Sequence, residues 1–185
     1  MYTEAQDMTP ETIANIMHDY FGNYPELIYY LENMGYYYYP ASKDHHGAEW
    51  GGLFKHSLQV TYELQKLTNL LDLEWERPES PVIIGMLHDV CKLDDYIIAP
   101  YGELPEEPEI YINPEKMYPG HGEKSLLMLM GLIDLTEEEK MCIRYHMGAF
   151  TDSKQWDFYN RAVSKYPNVL MAHTADMIAS QVKGV

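Results

Sequence analysis

The 185-residue chain has only two cysteines, Cys91 and Cys142, and no CxxC pair. That scarcity argues against a disulfide framework or a cysteine-based zinc site, and it fits a reducing compartment. Cys91 stands two residues after Asp89, but on a continuous helix its side chain points well away from that carboxylate. Packing is therefore the expected role of both thiols. Basic residues are scarce as well, 13 against 29 acidic ones, for a formal net charge of −16. No local basic stripe offsets this charge, so a polyphosphate duplex is repelled and long nucleic acid is not an expected partner. A small phosphorylated substrate stays admissible, because bound cations reverse the local field. No segment approaches the roughly 18 uninterrupted apolar residues of a membrane span. The stretch "MYTEAQDMTPET" has neither the basic nor the apolar region of a secretory signal. A cytoplasmic protein without a membrane partner is the expectation. Internal repeats are absent too, and the one low-complexity tract is the run Tyr36 to Tyr39.

What is present is an ordinary globular composition, 46% hydrophobic and 23% charged, at a length that suits one domain over residues 1–185. Thr9 and Pro10 predict a helix start with Ile13, Ile16 and Met17 on one face, and a second short helix runs from Pro25 to Met34. The segment "GYYYYPASKDHHGAEWGG" (35–52) is punctuated by Gly, Pro and Ser and reads as a structured loop. Its tyrosines suit either a half-exposed pocket wall or the edge of the core. Helical apolar spacing returns from Leu53 to Leu71. Ser80 and Pro81 predict the N-cap and first position of the next helix, which runs through Lys92. Residues 96–120 hold five prolines and predict a long irregular excursion or a small hairpin, a length of loop that is usually functional. A further helix begins at or just after His121. Thr136 with Glu139 predicts a capping box for a helix ending at Gly148, and a last helix or pair covers Asp157 to Val182. The expected fold is all-α, with N-terminal helices and a tyrosine-rich loop over 1–49 and a core over 50–182.

His56, the doublet His88–Asp89, His121, His146 and Asp176 fall on five different elements of this reading. Neutral imidazoles and carboxylates projecting inward from several helices bind borderline transition metals and leave coordination positions for water. One such histidine alone is ordinary; the set carries the signal. His88 and Asp89 are about 100° apart around a helix, so both reach one ion only from the edge of the apolar face. Lys92 falls one turn after His88 and reads either as a phosphate contact or as a lysine favoured by the helix dipole. His121 precedes a helix N-terminus, a place favourable to anions. Lys124 and Arg144 are further candidate phosphate contacts or else surface charges. His173 shares a helix face with Asp176 and reads as a ligand, a hydrogen-bond donor to one, or a core histidine. His45 and His46 lie in a polar loop, His18 has no partner in view, and Asp94 and Asp95 begin the long loop.

The order of these residues, in the contexts "FKHSLQV", "GMLHDVCK" and "HTADMIAS", resembles the HD-domain metal-dependent phosphohydrolases, helical proteins named for the His-Asp doublet. The resemblance spans roughly residues 50 to 182. It implies that His56, His88, Asp89 and Asp176 hold one metal. It implies further that His121 in "GHGEKS" and His146 in "RYHMG" mark the subgroup with a second metal, bridged by Asp89, although many relatives have HHG where this chain has YHMG. Lys92 is implied to contact a substrate phosphate. The implied activity is hydrolysis of a phosphate ester or anhydride in a small, nucleotide-type substrate. One or two divalent ions (Mn, Fe, Ni, Co or Zn) would generate and orient a hydroxide toward phosphorus, with Asp89 bridging the ions or holding the water. Two alternatives stay open: dioxygen activation by paired iron, as in a minority of such proteins, and a non-catalytic metal- or nucleotide-binding regulatory module.

Overall fold

Helix α1 (Pro10–Phe21) starts where the Thr9 hydroxyl accepts from the Thr12 amide and Pro10 fills the first turn, a place that needs no amide donor. It packs on α2 (Pro25–Asn33) and buries Ile16, Met17 and Phe21 against Leu27 and Leu31. The structure, a computed structural model, describes residues 9–45, 47–98 and 108–185. His46 and the middle of the 96–120 loop therefore lie outside the described residues.

Residues 35–45 and 47–51 wind through turns and bends without a strand before α3 (Gly52–Leu71) begins. The tyrosine run belongs to the core more than to a pocket wall at the metal-type residues. Tyr36 is fully buried, donates its hydroxyl hydrogen to the Met86 carbonyl, and meets Phe54 edge-on. Tyr37 packs on the same Phe54 ring, and Tyr37 and Tyr38 border a separate cavity beside α1.

α3 packs along α4 (Ser80–Leu87). Gly85 makes this approach possible: a Cβ at that position would lie 2.5 Å from the Thr61 Cα and 2.7 Å from the Thr61 nitrogen. Ser80 is the first helical residue of α4 and does not cap it, since its hydroxyl is committed at 2.8 Å to the buried Glu139 carboxylate. α4 also stops at Leu87, short of the expected end at Lys92. A tight turn over 88–91 follows, and then the short α5 (Lys92–Asp95). The proline-rich excursion is a hairpin at its base: β1 (Tyr96–Ile98) pairs antiparallel with β2 (Ile110–Ile112), Tyr96 opposite Ile112.

α6 (Gly122–Leu129) and α7 (Glu137–Tyr145) follow, α7 carrying the capping box between Thr136 and Glu139. The C-terminal region resolves into a pair, α8 (Trp156–Lys165) and α9 (Asn168–Met177), the latter continuing into a π-helical segment, Ile178–Lys183. α9 packs on α3 and α7, so the expectation of a mostly helical fold holds. No helix among the described residues is long and apolar enough to cross a membrane.

A buried polar clasp fixes the order of these helices. Arg77 holds Glu139 through two bonds of 2.7 Å, Nε to Oε1 and Nη2 to Oε2, and reaches the Asp134 carbonyl at 2.8 Å. Next to it, Glu138 accepts from the Glu76 amide at 2.9 Å and from Asn168 Nδ2 at 2.9 Å. The segment before α4, the start of α7 and the start of α9 thus share one network, in which every carboxylate oxygen has a donor.

Candidate metal centre

The doublet owes its geometry to the way α4 ends. His88 still makes the α-helical bond to Ile84, but from there the amides of Val90, Lys92, Leu93 and Asp94 reach back three residues, to Leu87, Asp89, Val90 and Cys91. Three residues per turn eclipse positions i and i+3. Lys92 therefore lies over Asp89, its Nζ 3.9 Å from Oδ2, and not over His88 as a continuous α-helix would have it. The same tightening brings Cys91 round toward Asp89, with Sγ 3.9 Å from Oδ1.

Four imidazoles converge here, three of them anchored alike. The Nδ1 of His56 lies 2.9 Å from the Val185 carbonyl, that of His88 2.9 Å from the Gly85 carbonyl, and that of His146 2.8 Å from the Ile143 carbonyl. Donation of Nδ1–H to a carbonyl fixes the tautomer and leaves the Nε2 lone pair facing inward, the usual preparation of a metal-ligating histidine. His56 Nε2 is 3.2 Å from His88 Nε2 and 3.3 Å from Asp176 Oδ1. Around Asp89 the two oxygens face different neighbours. Oδ2 lies 3.9 Å from His88 Nε2, while Oδ1 lies 2.7 Å from His121 Nε2 and 3.4 Å from His146 Nε2. Two donor groups thus meet at one carboxylate: His56, His88 and Asp176 on one side, His121 and His146 on the other.

Electrostatics separates the members of the cluster. Burial pushes His88 down to about 4, with His146 and His56 adding to the effect against the pull of Asp89. Burial favours a neutral acid at Asp89, yet Lys92 first and then His121 and His88 hold its carboxyl well below the usual range. The same contest brings Asp176 down to about 2, through its hydrogen bond with His56 and the nearby His88 and His146. Burial works to lower His56 and His146, but Asp176 and Asp89 outweigh it and raise both. Two ionised carboxylates in a buried setting therefore draw positive charge to this spot.

The residues fit a divalent ion. His146 Nε2 is buried and makes no hydrogen bond to any described residue, although it is aimed at Asp89. A buried polar nitrogen without a partner is costly unless something else binds it. The Nε2 atoms of His56 and His88 stand 3.2 Å apart with Asp176 Oδ1 3.3 Å from the former, a grouping of donors that a shared cation would hold in place of the His56 proton. Ligand atoms of His56, His88 and Asp176 lie within 4.8 Å of one another, as do those of His88, Asp89 and His146, and those of Asp89, Cys91 and His121.

A cavity of about 400 Å³ opens onto the cluster, lined by His56, Asp89, His121 and Asp176 and walled by Lys92, Tyr96, Ile112, Met147, Phe150 and Met177. Lys43 and Lys92 both line it, Lys43 exposed at the rim and Lys92 next to the cluster; burial opposes the charge of Lys92, but Asp89 outweighs burial and raises its pKa. His173 also lines the cavity, and its Nδ1 lies 2.7 Å from the His146 carbonyl, which steadies the segment that carries His146. His45 stands at the mouth, and the Tyr36–Tyr39 run is not part of the lining.

Two sequence candidates lie elsewhere. Lys124 is fully buried, and its Nζ sits 2.8 Å from both Asp94 and Asp95, which pins α6 to α5. Arg144 pairs with Glu123, donates to Gln155 at 2.7 Å, and stacks over Tyr145. Neither borders the cavity. Sequence reasoning set aside Cys91 and overlooked Ser125. The Ser125 hydroxyl donates to the His88 carbonyl at 2.6 Å and accepts from the Cys91 amide at 3.1 Å, so α6 holds the 88–91 turn in place. Comparison with family models, curated proteins and solved structures finds no match to this chain.

Proposed function

We propose that this chain is an HD-type, metal-dependent phosphohydrolase that acts on a small, nucleotide-type phosphorylated substrate. The observation that carries this reading is the convergence of His56, His88, Asp89, His121, His146 and Asp176 beside a cavity with Lys92 in its wall. One or two transition-metal ions held by these six residues would supply Lewis acidity and a nucleophile at neutral pH. The chain's own residues do the rest. The three backbone carbonyls hold three imidazoles in a fixed tautomer, so little reorganisation is needed on binding. Asp89, kept ionised by its surroundings, stands between the two donor groups and accepts a proton or a cation on either oxygen. Lys92 places an ammonium where a phosphate oxygen enters, and a charged hydrogen bond of that kind contributes about 1.5–3 kcal/mol. The apolar wall formed by Ile112, Met147, Phe150 and Met177 suits a flat organic group attached to that phosphate.

The test is phosphate release from a panel of phosphomonoesters, cyclic diesters and nucleoside triphosphates, using the chain loaded in turn with Mn, Fe, Co, Ni and Zn. Turnover that His88→Ala and Asp89→Ala abolish supports the reading. A fully metallated chain that hydrolyses no member of the panel defeats it. Oxygen consumption by the iron-loaded form would move the assignment to oxidative chemistry.

A further inference from the structure

We propose that Cys91 is a metal ligand, its sulfur joining Asp89 Oδ1 and His121 as a donor to the second ion. The inference rests on the reading above that Asp89 and His121 hold an ion, and it adds a softer donor to that site. Three observations support it. Sγ lies 3.9 Å from Asp89 Oδ1, 3.4 Å from His121 Nδ1 and 3.9 Å from His121 Nε2. Donors bound to one ion at roughly 2.0–2.3 Å stand about 3.3–3.8 Å apart, so these edges are close to those of a shared coordination sphere. Independently of the cysteine, the buried His146 Nε2 has no hydrogen bond among the described residues and lies 3.4 Å from the same Asp89 oxygen, which marks that oxygen as the place for an ion.

The sulfur's position is also built and not incidental. Cys91 is fully buried, its amide is tied to Ser125, and Ser125 is tied to His88, so the backbone from which the thiol projects is fixed beside Asp89. Oxygen, nitrogen and sulfur donors together are accepted by zinc, cobalt and iron, and sulfur disfavours manganese. As the sulfur–metal bond forms, the thiol proton leaves to solvent and no electron is transferred. Cys142, the other thiol, belongs to no such group among the described residues and serves as an internal control.

The experiment titrates the full chain with cobalt(II) under anaerobic, reducing conditions, then examines the zinc-loaded chain by X-ray absorption. Expected are a sulfur-to-cobalt charge-transfer band and a sulfur neighbour at about 2.3 Å. Both persist in Cys142→Ala. Both disappear in Cys91→Ser, which retains the equivalent bound by His56, His88 and Asp176 and loses second-site zinc affinity by more than about tenfold. The wild-type spectra decide the matter even where a variant folds poorly. Two equivalents of cobalt bound by nitrogen and oxygen alone would overturn the proposal and leave the metal reading standing, with sulfur then only orienting His121. A chain that binds no cobalt overturns both.

Discussion

Gly85→Ala tests how the fold sets the metal centre. The added Cβ meets backbone atoms of α3, the Thr61 Cα at 2.5 Å and the Thr61 nitrogen at 2.7 Å. Carbon pairs rest at about 3.5–4.0 Å, so α3 and α4 must part by about 1 Å. Overpacking of this kind costs about 1–3 kcal/mol, and a backbone obstacle places it at the upper end. Alanine returns about 1 kcal/mol of helix propensity, which leaves a net loss near 2 kcal/mol and a drop in Tm of about 4–8 °C for a chain of this size. Because α3 carries His56 and Gly85 itself supplies the carbonyl that anchors His88, the same separation should weaken binding of a cation offered to His56, His88 and Asp176. Thermal denaturation without metal and cobalt titration read the two effects. Thr61→Ala in the Gly85→Ala background should restore less than half of the loss, since the Thr61 backbone remains in the way. An unchanged Tm with unchanged affinity would refute the claim that this close approach sets the spacing of the donors.

Four other outcomes follow from the same geometry. Glu139→Ala leaves the half-buried Arg77 and the buried Ser80 hydroxyl without their acceptor and should cost about 1–3 kcal/mol, read by denaturant unfolding. Lys124→Met should lower stability by about 3 kcal/mol through its loss to Asp94 and Asp95, while turnover per folded molecule stays near wild type; a selective rise in KM would instead return Lys124 to the substrate site. Lys92→Ala should lower kcat/KM by about 10- to 100-fold with little change in metal content, because it removes a charged contact and no ligand. Metal binding must displace the protons that Asp176 and Asp89 draw to His56 and His146. Cobalt affinity should therefore fall as pH drops, beginning above the ordinary histidine value of about 6.5; an affinity constant from pH 8 to 6 would contradict the raised values.

Much of the fold was legible because its signals are local. Thr9 with Pro10, and Thr136 with Glu139, mark helix starts through bonds made within four residues, and both appear as expected. His88 and Asp89 could be singled out because they place ionisable groups at the edge of an apolar run, where only a partner or an ion offsets the cost, and His56, His121, His146 and Asp176 because they fall on different elements in contexts that resemble HD-type proteins. Lys124 and Arg144 were misleading for the complementary reason. Their carboxylate partners, Asp94 with Asp95 and Glu123, are distant in sequence, 20 residues or more away, and nothing local announces the pairing. The partners of Glu139 were hidden likewise: its role as a cap is local, but Arg77 and Ser80 reach it from about 60 residues upstream.

Cys91 shows what a small change of pitch does to such a reading. On an α-helix, residues two apart differ by about 200° and face opposite ways, which is why the thiol looked irrelevant to Asp89. At three residues per turn the difference is 240°, or 120° taken the short way round, and the sulfur swings to the flank of the carboxylate. The same change moves Lys92 from beside His88 to above Asp89. No propensity in "HDVCK" announces the tightening. It is imposed from outside by Ser125, which binds the His88 carbonyl and the Cys91 amide together. Ser125→Ala should therefore relax the turn toward an ordinary helix and draw Cys91 and Lys92 away from Asp89 together. The sulfur signature and the kcat/KM contribution of Lys92 would then fall in parallel, a coupling that two independent side chains would not show.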